Sequence, residues 1–267
     1  MYTRDMNVLH ALILGIVQGL TEFIPVSSSG HLIIARHVLG LPETGLSFDM
    51  ALNIGTIAAL LIYFARDLGD LAVGFVKGDA IKRRLVGLLA LATIPGVVLG
   101  VILKDQIETT FRSSRLVALN LMIVALVMLF VEWWYARQSR QTSLETMSVK
   151  QAGAVGVGQA IALVPGVSRS GITISTGMFA GLDRVTATRF SFLLSLPITV
   201  GATLKSLHDS GIHTLTTESG VVIVGIVASL ASGLFAIQFL IKYLSKHTLK
   251  PFAYYRLVVG AIILLVR

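Results

Sequence analysis

Residues 18 to 31 and 159 to 172 read QGLTEFIPVSSSGH and QAIALVPGVSRSGI, and each interrupts a stretch of apolar sequence. Aligned without gaps at an offset of 141, the two share Gln18 with Gln159, Val26 with Val167, Ser27 with Ser168, Ser29 with Ser170 and Gly30 with Gly171. An internal repeat that sets serines, Glu22, His31 and Arg169 inside sequence apolar enough for a membrane leaves few architectures open. It asks for two similar halves whose polar inserts meet in one buried site.

The surrounding composition fixes the class. With 54% hydrophobic residues, 13% charged and a mean hydropathy of +0.81, the chain cannot furnish a soluble surface and reads as an integral membrane protein. Residues 85 to 103 and 219 to 241 carry no charge, and each is long enough for the ~20 residues that span a hydrocarbon core. Shorter or flanked windows at 48 to 64, 116 to 134, 190 to 207 and 252 to 267 are further candidates. There is no cysteine, which excludes disulfide and thiolate chemistry. No small-residue cleavage site follows the first apolar run, so a cleaved signal peptide is not expected. The net charge of +8 does not point to nucleic acid, because Lys and Arg sit in short stretches between spans, where topology bias places them.

Each half reads as one broken hairpin followed by three spans. Pro25 with the serine run separates arms at 7 to 24 and 28 to 40, and Pro165 with Gly166 separates arms at 151 to 164 and 170 to 182. Such breaks free backbone groups that are tolerated at membrane depth only where protein or water satisfies them. With three full crossings per half, the second copy lies upside down relative to the first. The expected fold is an all-α polytopic membrane protein, an inverted-topology repeat with two re-entrant helical hairpins and about six full transmembrane helices. It forms a single membrane domain over 1 to 267, with 1 to 135 as the first repeat and 151 to 267 as the second. On this topology fourteen Lys and Arg, among them Arg66, Lys82, Arg83, Arg84, Arg140, Arg184 and Arg256, fall on one side. Seven, namely Arg4, Arg36, Lys104, Arg112, Arg115, Lys205 and Arg267, fall on the other. The richer side is predicted to be cytoplasmic, so both termini and the first hairpin's entrance face outward.

Glu22 and Arg169 are the informative charges, since an ionised group at membrane depth costs at least about 2.5 kcal/mol and is kept for a partner or a function. A bare ion pair locking the hairpins is the plain reading, but the hydroxyls and His31 beside them exceed what a lock needs. Gln18 lies one turn before Glu22, so both project from one helix face, and a carboxylate with an amide oxygen suits a hard divalent cation. Arg169, flanked by Ser168 and Ser170 and followed by Thr173, sets a forked donor, hydroxyls and a helix start where a phosphate would bind. For Ser170 and Thr173 the alternative is hydrogen bonding back to helix carbonyls. His31 follows Ser27, Ser28, Ser29 and Gly30; either it takes a serine proton as general base or it attacks phosphorus itself. Ser28 aligns with Arg169, which brings the two to symmetry-related positions and favours Ser28 as nucleophile, with Glu22 holding the imidazole or the cation. His10 is placed near the entrance, Glu132 with Trp133, Trp134 and Tyr135 in an interfacial belt, and His208 and His213 in a loop; none is assigned chemistry.

QGLTE, PVSSSGH and PGVSRSGIT together resemble the (E/Q)xxxE, serine–histidine and PGxSRSxxT elements of the bacterial undecaprenyl-pyrophosphate phosphatases of the bacitracin-resistance type, and the resemblance covers essentially the whole chain. Gln18 stands where many members carry Glu. The resemblance implies hydrolysis of undecaprenyl diphosphate to the monophosphate, recycling a lipid carrier of cell-wall synthesis, with Mg²⁺ or Ca²⁺. It also implies catalytic Ser28, His31, Glu22 and Arg169, substrate binding by Ser27, Ser29, Ser168, Arg169, Ser170 and Thr173, metal binding by Gln18 and Glu22, and a bacterial plasma-membrane location with an outward-facing site. The expected partners are the polyprenyl diphosphate and membrane lipids; a homodimer is compatible with the sequence and not required by it. A transporter or flippase binding an anionic head group is the second reading, since inverted repeats and broken helices occur there too. An intramembrane serine protease is the third, and it gives the Arg169 cluster no task.

Overall fold

The computed structural model describes residues 6–41, 46–103, 113–137, 142–210 and 219–265. His213 and the charges at Arg4, Lys104, Arg112, Arg140 and Arg267 lie outside them. The described residues form eleven helices: α1 (Val8–Phe23), α2 (Ser28–Val38), α3 (Leu46–Tyr63), α4 (Ala65–Lys77), α5 (Ala80–Ile102), α6 (Ser114–Tyr135), α7 (Val149–Ile161), α8 (Arg169–Phe179), α9 (Arg184–Ser210), α10 (Ser219–Leu244) and α11 (Lys250–Leu265).

The all-α polytopic fold is as the sequence asks. Among the described residues α5, α6, most of α9 and most of α10 are long and apolar enough to cross a membrane, and α3 with α4 adds a fifth candidate if the pair is counted as one span. That is fewer than the six expected. The chain turns by 67° between α3 and α4 at Phe64, so the 65 to 84 stretch between the windows at 48 to 64 and 85 to 103 is largely helical. The last window appears as the 16 described residues of α11, about 24 Å at 1.5 Å per residue. Side chains such as Ile94, Val98, Val101, Ile123, Leu126, Phe130, Val227 and Phe235 are exposed on α5, α6 and α10. An apolar surface of this extent belongs in lipid.

α1–α2 and α7–α8 are the two broken hairpins, and their second arms have only 11 residues each, roughly half a hydrocarbon core in length. The offset of 141 recurs in three dimensions. α1 and α7 begin at Val8 and Val149, and α2 and α8 at Ser28 and Arg169. The residues just before α2 and α8, Ser27 (φ 79°) and Ser168 (φ 71°), are the only non-glycine positions of positive φ among the described residues. Such strain costs about 1–3 kcal/mol per residue and persists where surrounding structure fixes it.

Each first arm packs against a helix of the other half, α1 on α10 and α7 on α5, at a separation that demands glycine. A Cβ on Gly15 would stand 2.4 Å from the Gly225 carbonyl oxygen, and one on Gly156 2.7 Å from that of Ala92. Gly15 and Gly156 are again 141 residues apart. α6 packs on α11, and the main core runs along α3, α6, α8, α9 and α10 with Phe23, Phe64, Phe190 and Phe192 among its largest members.

Candidate active site

Breaking two helices frees carbonyls at both hairpin tips, and one side chain gathers most of them. Arg256 of α11 is 0% exposed and donates to Pro25 O at 3.3 Å in the first tip and to Gly166 O and Val167 O at 3.1 and 2.9 Å in the second. It also reaches Leu121 O at 3.1 Å, while Asn120 Nδ2 donates to Pro165 O at 2.9 Å. Ser29 Oγ accepts from Gly166 N across the tips at 3.3 Å. Arg256 had been counted as a loop charge; α11 instead carries it to the joint between the hairpins. Arg36 and Arg184 are likewise engaged inside the fold, by Asp49 and Glu132. Removing Arg184 and Arg256 from the fourteen and Arg36 from the seven leaves twelve against six, so the charge bias is unchanged.

Joined tips bring the predicted charges together. Glu22 Oε1 accepts from Arg169 Nη2, and Glu22 Oε2 accepts from Ser28 Oγ at 2.6 Å and from Gln18 Nε2 at 3.1 Å. The ion pair is mostly shielded, with side chains 12% and 17% exposed, yet it borders open space. A cavity of about 600 Å³ is lined by polar residues that include Gln18, Glu22, Ser27, Ser28, Ser29, Ser168 and Arg169 and by apolar ones that include Ala162, Leu163, Val164, Ile198 and Ala202. Arg169 Nη1 is fixed from behind by Thr199 Oγ1 and by Ser195 O at 3.3 Å.

The equivalent serines Ser27 and Ser168 act differently. Ser168 Oγ caps α8 by accepting from Gly171 N at 3.2 Å. Ser27 makes no cap on α2 and pairs with Ser29 Oγ at 3.2 Å instead. The first backbone N–H groups of α2 are thereby left for an anion at the cavity.

Some expected site residues lie elsewhere. Thr173 is fully buried, donating to Arg169 O at 2.6 Å and paired with Ser191 of α9; the back-bonding alternative describes it. Ser170 bonds weakly to Ser168 Oγ (3.4 Å) and Ile24 O (3.5 Å), joining the tips away from the cavity wall. His31 is turned from Ser28: Nδ1 meets Ser27 O and Nε2 meets Tyr255 Oη, both at 2.8 Å, and the two rings stack with centroids 5.5 Å apart. Ser28 Oγ donates to Glu22, and no hydrogen bond joins it to His31. His10 does not line the cavity, and His208 lies in α9 rather than a loop. Glu132 is no belt residue: it is 1% exposed, binds Arg184 through both oxygens and accepts from Leu249 N at 2.7 Å.

Asn53 and Thr199 were not foreseen. Asn53 Oδ1 accepts from Gln18 Nε2 at 2.8 Å; its signal is a polar pair, Asp49 and Asn53, one turn apart in an apolar window, and both line the cavity. Thr199 has no such signal.

No cluster of three or more His, Cys, Asp or Glu suited to a metal is found among the described residues. Glu22 Oε2 and Asn53 Oδ1 nevertheless converge on Gln18 Nε2, at 3.1 and 2.8 Å, and turning the Gln18 amide over would set its oxygen beside theirs as a third hard donor. One carboxylate and two amides fit a divalent cation that takes its remaining ligands from phosphate and water.

The chain matches the family model described as "Bacitracin resistance protein BacA" over residues 11–262. It is 44% identical over 266 residues to a protein of Pelobacter propionicus, covering 96% of this chain and 95% of that one. It is 40% identical over 263 residues to one of Moorella thermoacetica, covering 98% of each, and 40% identical over 273 residues to one of Methanosphaera stadtmanae, covering 96% and 97%. All three relatives carry the name undecaprenyl-diphosphatase.

Proposed function

We propose, from the premise that the chain belongs to the bacitracin resistance protein BacA family, a mechanism and a setting for its activity at the hairpin tips. The chain is an undecaprenyl-diphosphatase. It hydrolyses undecaprenyl diphosphate to undecaprenyl phosphate and phosphate, which returns the lipid carrier to cell-wall synthesis and underlies bacitracin resistance.

The observation that carries the mechanism is Glu22, whose two oxygens touch Ser28 and Arg169 at once. In this contact Glu22 takes the Ser28 proton as Ser28 Oγ attacks the terminal phosphorus. A Ser–O–P bond forms, the bond from that phosphorus to the bridging oxygen breaks, and undecaprenyl phosphate departs. Water then opens the phosphoserine, releases phosphate and returns the proton to Ser28. Arg169, steadied by Thr199 and Ser195, and the free amides of α2 oppose the charge on the transferring group. Binding alone would have no use for the Ser28–Glu22 contact, which favours hydrolysis over transport of an intact head group.

Gln18, Glu22 and Asn53 would hold a divalent cation, Mg²⁺ or Ca²⁺, which when bound neutralises phosphate charge. The apolar side of the cavity takes the first isoprene units, and the substrate enters laterally from lipid. We place the site in the plasma membrane as an inverted repeat, opening toward the side poor in Lys and Arg. The test is phosphate release from undecaprenyl diphosphate by the purified protein in detergent, with and without chelator. Metal-dependent release is expected; no release under any metal would return the chain to the transport reading.

A further inference from the structure

Gln159 is a buried polar group on the cavity wall that the mechanism leaves idle. It occupies in the second hairpin the position that Gln18 occupies in the first, and both are buried, 2% and 3% exposed. Gln18 has partners in Glu22 and Asn53. The residues 141 positions beyond those two are Leu163 and Leu194, whose side chains offer no hydrogen bond. Among the described residues neither Nε2 nor Oε1 of Gln159 has a partner. An amide buried this way is a net cost to the fold, and an apolar side chain of similar size would remove it. The side chain borders the cavity, and a turn of the amide, whose N and O atoms are closed off as they stand, would bring its N–H groups into that space and give it another purpose.

Its surroundings name the ligand. Gln159 lines the cavity together with Ala162, Leu163, Ile198 and Ala202, and its side chain passes close to Gly96 of α5. The terminal phosphate is served by Arg169, Ser28 and α2. Between that phosphate and the isoprenoid chain lies the lipid-side phosphate, which needs a polar partner beside apolar surface, and Gln159 is a polar lining residue one turn before the apolar lining residues Ala162 and Leu163.

We infer that Gln159 is a substrate-binding residue whose amide N–H groups donate to the lipid-side phosphate, the group that leaves as the polyprenyl monophosphate. The inference rests on the phosphatase reading. A neutral donor suits this position, because the product must depart and a cation there would hold a phosphate monoester.

The experiment uses the full chain in detergent, with Gln159→Leu and the unbranched Gln159→Met. It measures KM for undecaprenyl diphosphate, inhibition by undecaprenyl phosphate and by inorganic phosphate, and thermal unfolding without ligand. Both variants should raise KM and the inhibition constant for undecaprenyl phosphate by about tenfold to hundredfold, the scale of one hydrogen bond to a charged group. Inhibition by inorganic phosphate should stay as in wild type, and the unfolding midpoint should be unchanged or higher. Unaltered constants in both variants would overturn the assignment. So would a lower midpoint in both, which would make the amide structural, or an equal loss of inhibition by inorganic phosphate, which would move it to the terminal phosphate. Wild type serves as the separate check on the phosphatase reading: no release there sinks that reading, whereas release by wild type with unaltered variants sinks only the role of Gln159.

Discussion

Replacing Arg169 with lysine keeps a positive charge opposite Glu22 and removes the fork. In the structure one end of the guanidinium meets Glu22 and the other meets Thr199 Oγ1 and Ser195 O, so a single ammonium that stays with Glu22 abandons α9. Two lost hydrogen bonds amount to about 2 kcal/mol of stability at the usual net value of ~1 kcal/mol each. The larger effect is on turnover, because a displaced cation no longer presents an oriented donor to the transferring phosphoryl group. Loss of one such donor costs about 2.7–4 kcal/mol, or roughly 10²–10³ in kcat. The Lys variant should fold, since it avoids stranding the shielded Glu22 carboxylate, whereas Arg169→Met should lose about 3–5 kcal/mol for leaving that charge unpaired. Phosphate release at saturating substrate, paired with thermal unfolding in the same detergent, measures both. Near wild-type turnover by a folded Lys variant would refute the clamp.

Ser28→Ala should abolish release as completely as loss of Glu22, because the two share one proton, and the double variant should be little worse than either single one. Trapping phosphohistidine on His31, with Ser28→Ala still turning over, would reverse the nucleophile. Glu22→Gln should lose both activity and metal response, while Gln18→Glu, which adds a carboxylate beside Glu22, should be tolerated and need less cation; equal behaviour of the two would remove both from a cation site. Compartment reporters fused after Arg267 and at the Gly78 turn between α4 and α5 should give opposite signals, and identical ones would break the inverted topology.

The repeat made the hairpin tips, the Glu22–Arg169 pair and the serine cluster legible, because local punctuation encodes them: Pro25, Pro165, Gly166 and serines within apolar runs. What the sequence hid was contact at long range. Arg256 is an ordinary-looking charge near the start of the last helix, and nothing within ten residues of it announces carbonyls 90 and 231 positions away. Glu132 was misplaced for the same reason, its true partner Arg184 standing 52 residues on. His31 shows a different gap. Spacing from Ser28 said the two could meet, but the side chain points to α11, where Tyr255 takes it. Asn53 was readable in principle from its turn-spaced pairing with Asp49.

The glycine contacts between the first arms and the opposite halves bear on how the molecule is made. Among the described helices α1 is synthesised first, yet its Gly15 face is shaped for Gly225 on α10, the tenth of the eleven. Until α10 is made the first hairpin therefore waits in the bilayer without its closest neighbour, and over the 147 residues that separate the pair Glu22 also lacks Arg169. Arg256, which ties the tips together, arrives later still. The site is thus incomplete in a nascent chain until α11 is inserted, and truncation within α11 should yield a protein that reaches the membrane with its site unassembled.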